Sequence, residues 1–282
     1  MTPRAPDEIA VLAQLACALE VSAPKPGNVS PGRPFADTSF EDFLASAIAI
    51  GPALSRAGDQ PLGRTIHAAV EATARVTERN TNLGIVLLLA PLARAALIDA
   101  PLRDALRSVL AATTVGDARD AYAAIRRAGP GGLGRAESQD VEHDPTVTLR
   151  EAMALAASRD SIAREWTSDF ALTFDTGAPA LHHARAAGLS WSDAVVECFL
   201  ALLAAAPDTL IARKLGPDAA CEVSRQARQV LHRGGARTQE GRVAIEHFDR
   251  ALRDDRNRRN PGTTADLTAA AIFVILVEHG WR

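Results

Sequence analysis

The chain has 282 residues, 47% of them hydrophobic and 23% charged, with a formal net charge of −3. That apolar content excludes a disordered polyelectrolyte, and the near-balanced charge removes any net pull towards phosphate backbones or anionic lipid. Neither nucleic acid nor a membrane surface is therefore an expected partner. Alanine accounts for 57 residues and aromatics for only 4%, a composition that favours helices over strands.

In chain order, Asp7 opens a helix that carries Ile9, Leu12, Ala13, Ala16 and Leu19 on one face. Ser39 precedes a helix running to residue 54, and another follows over 65–76. Thr81 or Asn82 is placed to cap the very apolar stretch LGIVLLLAPLARAAL, expected to be a buried central helix. Helical patterns continue over 101–111, 117–127, 147–165, 191–206, 208–214, 217–233, 240–253 and 264–279. There is no alternating strand pattern of useful length and no repeat of 20–50 residues. Three Pro- and Gly-bearing stretches interrupt the helices, over 22–39, 128–146 and 257–264. Long loops of this kind in a compact domain tend to be functional. The expectation is one all-α domain over 1–282, a multi-helix bundle with its active site built from loops and helix ends.

The N-terminus has no apolar signal core, and the apolar runs at 83–93 and 269–277 are shorter than the ~18 residues of a membrane span. Cys17, Cys198 and Cys221 are odd in number, far apart and lie in helical patterns, so they read as buried small hydrophobes in a reducing compartment. A cytoplasmic protein is expected.

Five polar constellations stand out. In Glu20–Asn28, EVSAPKPGN, a carboxylate ends an apolar stripe, and Lys25, one of only two lysines, sits in a proline-stiffened loop. Lys25 is placed either to hold an anion or to pair with Glu20 and tie down the loop. The loop GPGGLGRAESQDVEHD formally contains G-x-G-x-x-G at 129–134. It follows a helix rather than a strand, which excludes a dinucleotide fingerprint. Its glycines with Arg135 could still form an anion nest, and Glu137, Asp140, Glu142, His143 and Asp144 supply carboxylates and an imidazole suited to Mg²⁺ shared with phosphates. In DTLIARK, Asp208 and Thr209 start a helix that Arg213 and Lys214 close, as polyphosphate ligands or as cations at the helix dipole. In LHRGG, Gly234 is a plausible residue just past a helix end. In NPGTTAD, Thr263 and Asp266 match a capping pattern before an apolar helix whose N-terminus is also an anion site. The pair His182–His183 has no companion at metal-ligand spacing.

The set EVSAPKPGN (20–28), NTNLG (80–84), LHRGG (231–235) and NPGTTAD (260–266), in this order, resembles the triphosphoribosyl-dephospho-CoA synthase family. The resemblance implies an all-helical pentosyltransferase that joins C1′ of ATP's ribose to the 2′-hydroxyl of 3′-dephospho-CoA and releases adenine. It implies ATP as substrate with Mg²⁺, a phosphorylated small-molecule acceptor, and is compatible with a homo-oligomer. On that reading Glu20 and Asp140 are the candidate catalytic carboxylates, with Asp140 and Glu142 as candidate Mg²⁺ ligands. Lys25, Arg135, Arg213 and Lys214 are candidate triphosphate contacts, and Asn80 and Asn82 candidate partners of ribose or base. Asn28, Thr263 and Asp266 complete the candidate binding residues. The segments 33–42 and 170–179 depart from the family's usual motifs and bring the chain closer to a branch linked to tetrahydromethanopterin metabolism. The alternatives are thus an all-α enzyme acting on another phosphorylated substrate in that metabolism, or a non-catalytic helical binding protein.

Overall fold

The computed structural model describes residues 4–131, 134–254 and 256–281. Among them are fifteen α-helices and no strand, only an isolated bridge between Ser30 and Arg33. The all-α expectation is met.

The first half holds α1 (Pro6–Ser22), α2 (Phe40–Ala49), α3 (Gly51–Leu54), α4 (Leu62–Thr73), α5 (Leu83–Ala95), α6 (Leu102–Ala111) and α7 (Val115–Ala128). The second holds α8 (Leu149–Ala156), α9 (Ser161–Thr167), α10 (Ala178–Ala186), α11 (Trp191–Ala205), α12 (Thr209–Leu215), α13 (Pro217–His232), α14 (Gln239–Leu252) and α15 (Gly262–His279). A π-helical turn, Thr173–Gly177, precedes α10, and a 3-10 turn, Gly235–Arg237, precedes α14.

Helix starts follow side-chain chemistry. Ser39, Thr114 and Thr148 each close a capping box with an acidic residue three positions on, starting α2, α7 and α8. Asp160 caps α9 through the N–H groups of Ile162 and Ala163, which splits the expected helix over 147–165 in two. The helix expected from Ser39 to residue 54 is likewise broken, at Ile50. The α10 helix was not expected. Its approach is irregular: Asp169 and Phe170 have positive φ, and buried Glu165 accepts from the N–H groups of Leu172 and Thr173 and from the Thr173 hydroxyl.

The core helix is α15, with Leu267 and every residue from Ala269 to Val277 buried, and it packs against α1, α5 and α11. At 18 residues it is long and apolar enough to cross a membrane, but 78% of it is buried within the protein, so its apolar character serves the core. Beside it runs α5, which carries Pro91 internally. A proline cannot donate to the carbonyl four residues back. Here that carbonyl, on Leu87, accepts instead from the Trp166 indole N–H at 3.2 Å. Gly177 allows the π turn to reach α15, since a Cβ there would lie 2.9 Å from Ala271 Cβ.

Two of the three cysteines are buried as expected. Cys221 is instead exposed on α13.

Candidate active site

The N-terminal ends of α5, α9 and α15, the end of α1 and the loops at 28–38, 129–141 and 256–260 surround a cleft of about 720 Å³. All three irregular stretches of the sequence therefore meet at one place. Gly132 and Leu133 of the glycine-rich run lie outside the described residues, and Gly129, Gly131 and Gly134 line the cleft mouth.

The loop after α1 is held from below. Lys25 Nζ lies 2.9 Å from Glu20 Oε1, and it also donates to the Glu20 and Ala23 carbonyls. These three acceptors use all three ammonium hydrogens. Lys25 is buried and does not line the cleft, so its ammonium lies with Glu20 and outside the lining. Glu20, by contrast, faces the cleft. Gly27, at φ 73°, donates its N–H to Asp249 at 2.8 Å, and a Cβ there would lie 2.9 Å from Leu252 Cβ. Asn28 is buried at the cleft wall; its amide donates to the Pro26 carbonyl and its own carbonyl accepts from Arg253. The PKPGN run is thus a strut that sets the Glu20 side of the site.

The NTNLG motif opens α5. Asn80 accepts from the Leu83 N–H at 3.2 Å and so does the capping expected of its neighbours. Asn82 is buried and donates to Thr73 Oγ1 at 3.0 Å. Both asparagines line the cleft. Gly84 lets α5 approach α15, because a Cβ on it would overlap Asp266 Oδ2.

The NPGTTAD motif departs from its expected local cap. Thr264 N–H and hydroxyl are both received by Asp208 Oδ2, at 2.7 and 2.8 Å, while Asp208 Oδ1 caps α12. Thr263 bonds Thr209 across the two helix starts at 3.3 Å. Asp266 is left free of capping, half-buried and lining the cleft. Burial, then the charges of Glu20, Asp208 and Asp160, push its carboxyl well above the usual carboxylate range, against a smaller pull from Arg213. Burial, then the charges of Glu20 and Asp266, push the Cys17 thiol of α1 up.

The cations lining the cleft are Arg79, Arg159, Arg213, Lys214 and Arg256. Arg213 is anchored on Asp160 at 2.6 Å, and its Nε is buried without a partner. Lys214 Nζ lies 3.4 Å from the Asn257 carbonyl, and burial of its head group pushes its ammonium below the usual value. Arg159, Asp160 and Arg256 were not singled out in the sequence, where the first two fall inside the helix expected over 147–165 and the third lies just past the one over 240–253.

The loop after α7 contributes less than its composition promised. Asp140 lines the cleft, but its carboxylate accepts from Glu142 N–H at 2.9 Å and Ala136 N–H at 2.6 Å. These bonds, in that order, hold it below the usual range, helped by the charges of His143 and Arg135. Arg135 and Glu142 are exposed and do not line the cleft. Among the described residues no group of three His, Cys, Asp or Glu could hold a metal ion. Of the two expected Mg²⁺ ligands, Asp140 lines the cleft with its carboxylate bonded to its own loop, and Glu142 lies outside the lining.

LHRGG also lies away from the cleft. Gly234, at φ 98°, follows the end of α13 as expected, and buried Glu197 on α11 receives the Ala236 N–H and Arg237 Nε. Of the two segments that depart from the family's motifs, 170–179 does not line the cleft, while Phe35, Asp37 and Thr38 of 33–42 do.

Residues 6–282 match the family model described as ATP:dephospho-CoA triphosphoribosyl transferase. A Pseudomonas fluorescens protein assigned as 2-(5''-triphosphoribosyl)-3'-dephosphocoenzyme-A synthase is 26% identical over 99% of this chain and 94% of its own length. A Klebsiella pneumoniae protein of the same name is 30% identical over 96 residues, 34% of each chain. Among solved structures, an Archaeoglobus fulgidus chain assigned as triphosphoribosyl-dephospho-CoA synthase superposes with a TM-score of 0.66 at 31% identity, covering 85% of this chain and all of that one.

Proposed function

The chain belongs to the ATP:dephospho-CoA triphosphoribosyl transferase family, and from that premise we propose that its cleft exchanges the N-glycosidic bond of ATP for a bond to the 2′-hydroxyl of 3′-dephospho-CoA. The observation that carries this reading is that one cleft holds two chemistries. Arg159, Arg213, Lys214 and Arg256 line it together with Glu20 and Asp266. A nucleoside triphosphate needs both: cations for the phosphates, carboxylates where the anomeric carbon takes on positive charge.

Displacement of a base at an anomeric carbon passes through an oxocarbenium-like state. Glu20, held in place by Lys25, is sited to stabilise that charge and to receive the proton of the attacking hydroxyl. Arg213 is pre-set by Asp160 and so loses little freedom on meeting a phosphate. The substrate is taken as MgATP, with the metal carried by its phosphates. The cleft's volume of about 720 Å³ is of the size that drug-like and cofactor ligands occupy.

The test is adenine release from ATP and Mg²⁺, with and without 3′-dephospho-CoA, followed by chromatography. Release that requires dephospho-CoA is expected. Failure to release adenine with both substrates present would contradict the reading.

A further inference from the structure

Each other carboxylate lining the cleft has a partner. Glu20 has the Lys25 ammonium, Asp37 has Arg79, Asp160 has Arg213, and Asp140 has two backbone N–H groups. Asp266 has neither a hydrogen bond nor an ion pair among the described residues, although it faces the same cleft from the second turn of α15. The groups around it deepen its isolation. From α1 come Glu20 and the Cys17 thiol, from the caps of α12 and α9 come Asp208 and Asp160, and the first turn of α5 presents the Gly84 backbone. Arg213 is the cation that draws its carboxyl down, and Arg213 is already engaged with Asp160.

We propose that Asp266 is the general acid that protonates the departing purine, with Glu20 as the base for the incoming hydroxyl. This rests on the reading above that the cleft holds a nucleoside triphosphate and a hydroxyl acceptor. In the step, an oxygen lone pair of the acceptor forms the bond to C1′, and the C1′–N9 electron pair leaves with the purine. The purine takes the Asp266 proton, and the hydroxyl proton passes to Glu20. One proton returned from Glu20 to Asp266 restores both groups. A purine is a poor leaving group as an anion and a much better one once protonated, so an acid here acts where the barrier is highest. The two carboxylates have contrasting surroundings, one beside an ammonium and one among carboxylates, which divides base from acid.

The acid must carry its proton, so activity with ATP falls as pH rises through the Asp266 ionisation. The experiment uses the full chain, MgATP and 3′-dephospho-CoA, and compares wild type with Asp266→Asn over the neutral and alkaline range. The variant is expected to lose about 10²- to 10⁴-fold in kcat, with KM for ATP little changed and the alkaline limb gone. A second donor separates an acid from a structural residue. Nicotinamide riboside 5′-triphosphate carries a cationic base that departs neutral without a proton, so Asp266→Asn should use it nearly as well as wild type does. Wild-type adenine release by the variant, equal loss with both donors, or a wild-type profile without an alkaline limb would each overturn the assignment. A wild type that releases no adenine at all would instead remove the transferase reading beneath it.

Discussion

Lys25 directs all of its hydrogen bonds inward, to one carboxylate oxygen and two carbonyls. The sequence left its partner open between a bound anion and Glu20, since spacing in a loop says nothing about which way an ammonium points. Its burial means that Lys25→Ala removes the counter-ion of a buried carboxylate, an operation that costs about 3–5 kcal/mol. A correspondingly lower denaturation midpoint is expected, with recovery when Glu20→Gln is added. An unchanged midpoint for Lys25→Ala would contradict the buried pair. Asp266 gives the opposite sign. Its carboxyl is raised in the folded protein, so the fold favours the protonated form and is at its firmest below the unfolded value, near the ordinary 3.8. Stability is then lost as pH rises towards and through the folded value. Asp266→Asn should raise the melting temperature at neutral and alkaline pH, with the gain vanishing in acid. A gain that is the same at every pH would contradict an ionisation effect. The setting of Asp266 was half visible in its motif: the T-x-x-D pattern pointed to a cap, whereas Asp208 from another helix receives the Thr264 N–H and hydroxyl.

Asp208 shows how much of the helix architecture is non-local. One oxygen caps α12 and the other receives the first turn of α15. Asp208→Ala removes the cap of one helix and a first-turn acceptor of another, each worth about 1–2 kcal/mol. A loss of about 2–4 kcal/mol in denaturant unfolding is expected, whereas a loss below that of a single cap would show that Thr264 finds another acceptor. Most helices were legible from periodicity and cap residues, as at Ser39 and Asp208. The failures have physical causes. Asp160 looks like an ordinary helix-interior charge until its side chain is seen to start a new helix. The route into α10 depends on Glu165 satisfying the π turn, and no local pattern announces a buried carboxylate used in that way. Pro91 should have weakened α5, but Trp166 from α9 supplies the bond that the proline removes.

At the scale of the molecule, the three irregular stretches converge on one cleft because α1, α5 and α15 pack together with their ends aligned there. Long Pro- and Gly-bearing loops were therefore a guide to where the cleft lies. They were a poorer guide to which side chains act, because acidic clusters can serve their own loop, as Asp140 does. The cations Arg159 and Arg256 come from separate parts of the chain, and the fold brings both to the cleft that Arg213 lines. The segment at 33–42 borders the cleft, which makes it the place where a change of acceptor would be written.

The proposed exchange, the adenine of ATP for a hydroxyl of dephospho-CoA in this cleft, leaves a countable trace. It is tested most directly by product stoichiometry. Purified protein is incubated with MgATP and 3′-dephospho-CoA, free adenine is quantified, and the acceptor is followed by mass spectrometry. One adenine is expected for each dephospho-CoA that gains a ribose 5-triphosphate, with neither product formed when either substrate is left out. Adenine without the conjugated acceptor, or unchanged ATP and dephospho-CoA after prolonged incubation, would contradict it.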